Sequence, residues 1–472
     1  MIKVNLEKTG DKFLPEKLKP RAQPLLRMAD TILSGDDENS ASQRIALTTF
    51  IIRVVSALIA LVSQILLARW LGTFEYGIYV AVWVAVVILS TITCIGFPSA
   101  VVRFLGEYRE KNNPALIHGV IRASMYISLL FSTLVAAVGG YILYTFPEIV
   151  TDYYVIPIFL AAICLPLLAV EGVMDCIARA FNWPKVAFLP TYILRPLTII
   201  LFAGGAFLVG FPANAETTLW AAIIASFIAF FVQFLVLFRK LQKTVPYEKP
   251  TYKIKTWVLV AMPIFLVEGF YVLMTSVDVL FVSFLMTPED TAIYFATTKI
   301  LALVHFVYFA VRASVSHRYS AFHTNGNLEA FQDFVQKTVT WTFWPSLLIA
   351  AFMAVFGKFF LMLFGSEFTS GSFILIVLLC GIVIRSSIGP AEALLVMAGR
   401  QKMCAAIYAI TLTVNIILNI SLIPIFGILG AAIATSIALV FESAALHSAA
   451  KRALGIHAFI IPRNSPIEEG IA

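Results

Sequence analysis

Charged residues and cysteines are both scarce in this chain of 472 residues. Asp, Glu, Lys and Arg make up 13% of it, about half of their share in soluble proteins, while hydrophobic residues make up 60%. The five cysteines lie in or beside apolar segments and lack the paired spacing of metal ligands. A Walker-type phosphate loop is also missing. The sequence therefore indicates an integral membrane protein and shows no sign of a disulfide framework, a metal site, a cofactor or ATP hydrolysis.

Long apolar segments contain most of the hydrophobic residues. A helix needs about 20 apolar residues to cross the hydrocarbon core, and it satisfies its backbone hydrogen bonds internally. Twelve segments meet this requirement, so we predict an all-α polytopic membrane protein. The predicted spans are residues 45–67, 78–102, 119–144, 155–173, 186–209, 219–238, 257–285, 293–311, 339–363, 373–397, 404–423 and 428–446.

Basic residues are unevenly distributed between the loops that join these spans. With the N-terminus inside, the cytoplasmic segments hold 28 of the 34 Lys and Arg residues, the external loops hold Arg69 and Lys358, and the spans hold four. Because short basic loops stay in the cytoplasm, this distribution predicts that both termini are cytoplasmic. The net charge of +7 then reflects membrane topology, and we expect no nucleic acid as a partner.

The two halves of the sequence resemble each other. Residues 64–71 align with residues 278–285 at an offset of 214, and Tyr79 pairs with Tyr294 at 215. Because each half has an even number of spans, both enter the membrane in the same direction, and we expect a V-shaped transporter with a cleft between two lobes. The predicted regions are a cytoplasmic tail (1–43), an N-terminal six-helix lobe (44–238), a basic cytoplasmic linker (239–256), a C-terminal six-helix lobe (257–447) and a cytoplasmic C-terminal tail (448–472).

Short motifs in both halves carry a resemblance to a known family. They are Asn415-Ile-Ile-Leu-Asn419 with the following Pro424, Gly427 and Gly430, then Leu71-Gly72, Tyr76-Gly77 and Tyr79, the segment from Asp278 to Tyr294, and Ala398-Gly399-Arg400. On these motifs the chain resembles the lipid-linked-oligosaccharide flippases of the Wzx type. These polysaccharide biosynthesis proteins belong to the multidrug, oligosaccharidyl-lipid and polysaccharide (MOP) exporter superfamily.

The resemblance implies a function that the composition alone does not. It implies a non-enzymatic flippase that moves an undecaprenyl-diphosphate-linked oligosaccharide repeat unit across the bacterial inner membrane by alternating access. Its partners would be this substrate, membrane lipids, and the polysaccharide polymerase and export machinery.

Four basic residues lie inside the predicted spans, where each costs about 2.5–3.5 kcal/mol to insert. They are Arg53, Arg195, Lys299 and Arg385. A diphosphate loses its hydration in hydrocarbon unless the protein supplies partners, and a guanidinium can bind two of its oxygens at once. We therefore expect these cations to line the cleft and bind the diphosphate. The alternative is structural pairing with carboxylates inside the membrane.

Acidic residues and one histidine form a second set of candidates, for ion coupling or gating. In the seventh span, Glu268, Tyr271 and Asp278 follow helical spacing and form one polar stripe. The repeat offset brings Arg53 beside Glu268, which predicts either a pair that yields to substrate or a permanent structural pair. His305 in the eighth span is a candidate carrier of a coupling proton, with a simple hydrogen-bonded histidine as the alternative.

Two other functions stay open from the sequence. A drug or cation extruder of the same superfamily would need a cleft dominated by acidic residues. A polysaccharide polymerase or ligase would need a catalytic domain outside the membrane, whereas no predicted external loop exceeds about a dozen residues, within the short-loop regime of the topology rule.

Overall fold

A computed structural model describes residues 38–325 and 328–461, and these fold almost entirely into helices. The helices are α1 (Glu38–Thr93), α2 (Phe97–Glu110), α3 (Pro114–Thr145), α4 (Asp152–Ala180), α5 (Pro184–Leu189), α6 (Arg195–Val209), α7 (Ala215–Thr244), α8 (Ile254–Leu285), α9 (Pro288–Asn325), α10 (Leu328–Met362), α11 (Ser372–Ser386), α12 (Ala391–Met397), α13 (Gln401–Phe426) and α14 (Ile428–Leu454). A π-turn, Pro190–Leu194, joins α5 to α6. Most of the predicted tail, residues 1–37, lies outside the described residues.

The number of membrane crossings agrees with the sequence. In the described part of the chain, eleven helical segments are long and apolar enough to cross a membrane. The first, Ile51–Thr93, has 43 residues, and at 1.5 Å per residue it is about 65 Å long, twice the thickness of the hydrocarbon core. It is broken at Gly72, whose φ of 72° interrupts the helical backbone. α1 therefore crosses twice, and the all-α architecture with twelve spans is confirmed.

The second crossing ends earlier than the apolar pattern predicts. We predicted a span to residue 102, but α1 ends at Thr93 and the chain turns at Gly96, where φ is 72°. A Cβ atom at Gly96 would lie 2.4 Å from the carbonyl oxygen of Ala261 in α8. The predicted end was wrong because the turn depends on this close approach of a distant helix, which local hydropathy does not contain.

Hydrophobic side chains of the two halves share a core at one end of the bundle. This core contains Leu67 and Tyr76 from the first half together with Tyr294 and Phe364 from the second. The ring of Tyr76 lies 6.0 Å from that of Phe368, edge to face. We call this the joined end; it contains the break at Gly72.

At the opposite end, which we call the linker end because residues 245–253 lie there, the described residues form two separate cores. One runs from Ile52 to Ala261 and the other from Val315 to Ala458. The two lobes are thus packed together at one end and apart at the other. A V-shaped bundle follows from this arrangement.

Helix α8 contacts both halves. At its start, Trp257 is fully buried in the core of the first half, and its indole Nε1 donates to the hydroxyl of Tyr108 at 2.9 Å. Near its end, Asp278 accepts a hydrogen bond from Tyr294 at 2.7 Å and one from Thr435 at 3.3 Å. α8 therefore connects the two lobes through its own packing as well as through the chain.

Similar hydrogen bonds occur near the start of the two halves, although their donors are not equivalent in the repeat, since Tyr294 aligns with Tyr79 and not with Tyr76. Gln64 and Asp278 occupy the same position at the offset of 214 residues. Each accepts a hydrogen bond from a tyrosine of the next crossing: Tyr76 donates to Gln64 Oε1 at 2.8 Å and Tyr294 donates to Asp278 Oδ2 at 2.7 Å. In each half a tyrosine thus bonds one crossing to the crossing before it.

Candidate functional site

Arg195, one of the predicted diphosphate ligands, is paired with a carboxylate in the first half. Its Nη1 lies 2.6 Å from Oε2 of Glu171 in α4, and Glu171 is only 2% exposed. The guanidinium also lies 5.9 Å from the ring of Trp83. Arg195 begins α6 directly after the π-turn, which offsets this helix from α5 by an extra residue. In this structure Arg195 is therefore paired with a carboxylate, which is the alternative that the sequence left open.

Arg385, a second predicted ligand, lies in a network of charges that we call the C-lobe charge network: Arg312, Arg385, Glu392 and Glu442. Nε of Arg385 is 2.8 Å from Oε1 of Glu442, and Nη2 is 2.8 Å from Oε2 of Glu392. Arg312 lies 3.4 Å from the other oxygen of Glu392. Both carboxylates are almost fully buried. Arg385 is therefore also held by carboxylates.

Arg53, the third predicted ligand, is exposed on α1. Its guanidinium lies over the ring of Phe188 at 5.1 Å, and among the described residues no carboxylate is within salt-bridge distance of it. The predicted pair with Glu268 is not formed in this structure, since Glu268 accepts a hydrogen bond from Ser99. Arg53 thus presents a charged group inside the membrane that lies over an aromatic ring and interacts with Asp175 only beyond salt-bridge distance.

The sequence reasoning missed Arg179. The predicted fourth span stopped at residue 173, but α4 continues to Ala180, and Nη2 of Arg179 lies 3.4 Å from Oδ2 of Asp175. It also donates to Sγ of Cys176 at 2.8 Å and interacts electrostatically with Glu268. The spacing of four residues between an acid and a base on an apolar helix was the signal that could have identified it.

Lys299 and Asp278 lie near the joined end of the cleft. Lys299 is exposed on α9, and its Nζ lies 4.4 Å from the ring centre of Phe295. Asp278 is buried, and its Oδ1 accepts the backbone N–H of Val279 at 2.9 Å in addition to the two side-chain bonds described above. Asp278 therefore bonds α8 to α9 and α14, and it also interacts electrostatically with Lys299.

His305 has little that would support a proton relay. It is half-buried on α9, its ring lies 6.4 Å from that of Phe309, and it makes no hydrogen bond to the described residues. No group of three His, Cys, Asp or Glu side chains within residues 38–325 and 328–461 is arranged to hold a metal ion.

The joined end holds a contact between the lobes that the sequence did not reveal. Arg69, which the sequence places in an external loop, donates from Nε to the carbonyl oxygen of Leu363 at 2.6 Å and from Nη2 to that of Met362 at 3.3 Å. Beside it, Thr73 donates to Oε2 of Glu367 at 3.0 Å. These bonds tie α1 of the first lobe to the end of α10 in the second.

Family models match much of this fold. The model of the polysaccharide biosynthesis protein family matches residues 44–316, more than half of the chain. A second model, MatE, matches residues 263–421.

A curated relative is the probable low-salt glycan biosynthesis flippase Agl15 of Haloferax volcanii. It is 26% identical over 165 residues, which are 34% of this chain. The chain matches about a third of the length of that relative, 34%.

Two solved structures have the same fold. The lipid II flippase MurJ in an inward closed conformation has a TM-score of 0.67 at 19% identity, over 86% of this chain and 87% of its own. An inward-facing multidrug resistance MATE transporter of the MOP superfamily has a TM-score of 0.66 at 14% identity, over 84% of this chain and 95% of its own. At these identities the likeness establishes the fold alone.

Proposed function

The chain belongs to the polysaccharide biosynthesis protein family, and from this membership we propose that it is a flippase for a lipid-linked oligosaccharide. The substrate is an undecaprenyl-diphosphate-linked repeat unit, carried across the bacterial inner membrane without covalent change. The glycan biosynthesis flippase named among the relatives and the flippase among the structural neighbours both support this assignment.

Arg53 carries the proposal. A cation inside a membrane span is costly, and such residues usually face a cavity and pair with a partner. No carboxylate among the described residues lies within salt-bridge distance of Arg53, although Asp175 interacts with it electrostatically from farther away, and Arg53 is exposed. A diphosphate supplies the missing negative charge and accepts paired hydrogen bonds from the guanidinium.

Lys299 is the second cation without a carboxylate at salt-bridge distance in the described ranges, although Asp278 interacts with it electrostatically. It lies 11 residues into α9 from the joined end, deeper in the cleft than Arg53. Arg195 and Arg385 are already neutralised by Glu171, Glu392 and Glu442, so they attract a diphosphate less strongly than an arginine without a carboxylate partner does. We therefore assign first contact to Arg53 and Lys299, with Arg195 and Arg385 as later ligands.

The shape of the bundle supports alternating access. In the orientation that the Lys and Arg distribution predicts, both termini and the linker end face the cytoplasm, where the lobes are apart and substrate is loaded. The joined end faces the periplasm and is held shut through Arg69. Transport then requires the joined end to separate while the linker end closes. Glu268 is the first candidate for coupling this exchange to an ion, since Asp278 is occupied by structural bonds and His305 makes no hydrogen bond to the described residues.

An ion-coupled extruder of drugs or cations is the second candidate, and the MatE match over residues 263–421 favours it. A cationic drug needs unpaired acids in the cleft. Glu171, Glu392 and Glu442 are instead neutralised by arginines, which weakens this alternative.

The test is to delete the gene in its own host and measure where lipid-linked oligosaccharide accumulates. We expect accumulation on the cytoplasmic leaflet, reversed by the full-length wild-type protein. A drug-transport assay with ethidium runs in parallel. Unchanged oligosaccharide turnover together with lost ethidium efflux would establish the extruder instead.

A further inference from the structure

Aromatic and charged side chains from six helices meet around the C-lobe charge network. Tyr271 comes from α8, Tyr308 from α9 and Tyr408 from α13, and they surround charges carried by α9, α11, α12 and α14. The guanidinium of Arg385 lies 5.3 Å from the ring centre of Tyr308. The rings of Tyr271 and Tyr408 are 6.5 Å apart, edge to face, and both tyrosines interact electrostatically with Glu392 and Glu442.

The C-lobe charge network contains two arginines and two glutamates, so its formal charge is zero. Each glutamate already contacts a guanidinium, at 2.8 Å for both Glu392 and Glu442. A free anion gains no net attraction from such a set, and neither does a free cation. The network instead presents closely spaced hydrogen-bond donors and acceptors, which suits a neutral polar ligand.

The hydroxyl groups of the three tyrosines are available. None of them makes a hydrogen bond to the residues that the structure describes, although Tyr408 is only 8% exposed. Oε1 of Glu392 is buried and has no hydrogen-bond partner. Nη1 of Arg312 lies 3.4 Å from it. Several polar atoms at this place therefore have bonding capacity that the protein itself does not use.

One side of this group is open. Tyr271 is 40% exposed and the side chain of Arg312 is 42% exposed, whereas Arg385, Glu392 and Tyr408 form a buried floor. A ligand can therefore reach the floor from the side where Tyr271 and Arg312 lie. Charged groups avoid acyl chains, so this side opens to the cleft rather than to lipid.

We propose that Tyr271, Tyr308, Tyr408 and the C-lobe charge network form a carbohydrate-binding subsite. Aromatic rings cover the apolar faces of a sugar ring, while tyrosine hydroxyls, carboxylates and guanidiniums bond to its hydroxyl groups. This inference rests on the proposed function and divides the substrate between the lobes. The diphosphate binds Arg53, and the first sugars bind the C-terminal half.

The experiment separates the two parts of the substrate. Mild acid hydrolysis of the host's lipid-linked oligosaccharide yields a free glycan without lipid or diphosphate, and undecaprenyl diphosphate serves as the second probe. Binding of each to the full-length protein in nanodiscs is measured by calorimetry and by saturation-transfer NMR. The variants are Tyr271→Phe and Tyr408→Phe, which keep the ring and remove the hydroxyl. The matched control is Tyr126→Phe, because Tyr126 is 67% exposed on α3.

We expect free glycan to bind the wild type and to bind each of the two variants roughly two- to tenfold more weakly, the range for one lost hydrogen bond. Tyr126→Phe should bind glycan like the wild type, and undecaprenyl diphosphate should bind all three variants equally. Glycan affinity unchanged in both variants would overturn the subsite. So would no glycan binding at all, if undecaprenyl diphosphate still binds. If the wild type binds neither the free glycan nor undecaprenyl diphosphate, the proposed function itself is refuted. A melting curve for each variant shows whether it is folded.

Discussion

Nε of Arg69 donates a hydrogen bond of 2.6 Å to the carbonyl oxygen of Leu363, directly after the last residue of α10. The final carbonyl groups of a helix lack partners within the helix, and they carry the negative end of its dipole. A guanidinium placed there satisfies two of these carbonyls, since Arg69 also bonds to Met362. Because Arg69 and α10 belong to different lobes, the lobes cannot separate at the joined end without breaking these bonds.

Crosslinking the joined end should stop transport. We would replace Thr73 and Glu367 by cysteine, because their side chains are in hydrogen-bond contact at 3.0 Å, and add a short bis-methanethiosulfonate reagent. Cys380 is changed to serine first, since it is the exposed cysteine in the described ranges. Transport should fall to background on crosslinking and return with reductant. The two single-cysteine variants are the controls, and full activity of the crosslinked protein would contradict alternating access through this end.

Arg195→Gln should destabilise the protein strongly. The change leaves Glu171 buried and charged without a partner, and removing one member of a buried ion pair costs about 3–5 kcal/mol. Unfolding in mixed detergent micelles measures the loss. The double variant Glu171→Gln with Arg195→Gln should recover most of it, because no unpaired charge remains. A double variant as unstable as the single one would show that the pair is not what stabilises this region.

Arg53→Gln should weaken binding of undecaprenyl diphosphate and leave stability unchanged. Hydrogen bonds to a charged group contribute about 1.5–3 kcal/mol, so we expect at least about a tenfold loss of affinity. Arg53→Lys should bind undecaprenyl diphosphate more weakly than the wild type and more tightly than Arg53→Gln. Lysine keeps the charge but lacks the planar guanidinium group that bonds to two oxygens. Arg103→Gln is the matched control, because Arg103 is an exposed arginine of the first half that is not among the proposed ligands. Equal affinities in all four proteins would remove Arg53 from the site.

Gly96→Ala should destabilise the contact between α2 and α8. Its φ of 72° is unfavourable for alanine by roughly 1–3 kcal/mol, and the new Cβ would lie 2.4 Å from the carbonyl oxygen of Ala261. Gly106→Ala is the control, since a Cβ there meets nothing within 4 Å and Gly106 lies inside α2. Gly106→Ala should leave the free energy of unfolding unchanged or raise it by up to about 1 kcal/mol. Melting temperatures of both variants in detergent compare the two sites.

The placement of the predicted cations shows where sequence reasoning is effective. Arg53, Arg195, Lys299 and Arg385 were found as charges inside apolar spans, and the possibility of carboxylate pairing was recognised. The sequence could not say which of them is paired. Arg195 meets Glu171 across 24 residues, and Arg385 meets Glu442 across 57. Partners at such separations are chosen by how the helices pack.

The sequence by itself determined the membrane class, the twelve crossings, the repeat and the predicted orientation. Each of these depends on features that can be counted along the sequence. They are the length of an apolar segment, whether the number of spans in each half is even, and the number of basic residues in a loop. Only the tertiary structure decided that Arg69 closes the joined end, that α8 packs with both lobes and that Arg53 has no carboxylate partner among the described residues. These depend on distances between helices remote in sequence, and hydropathy and spacing do not encode them.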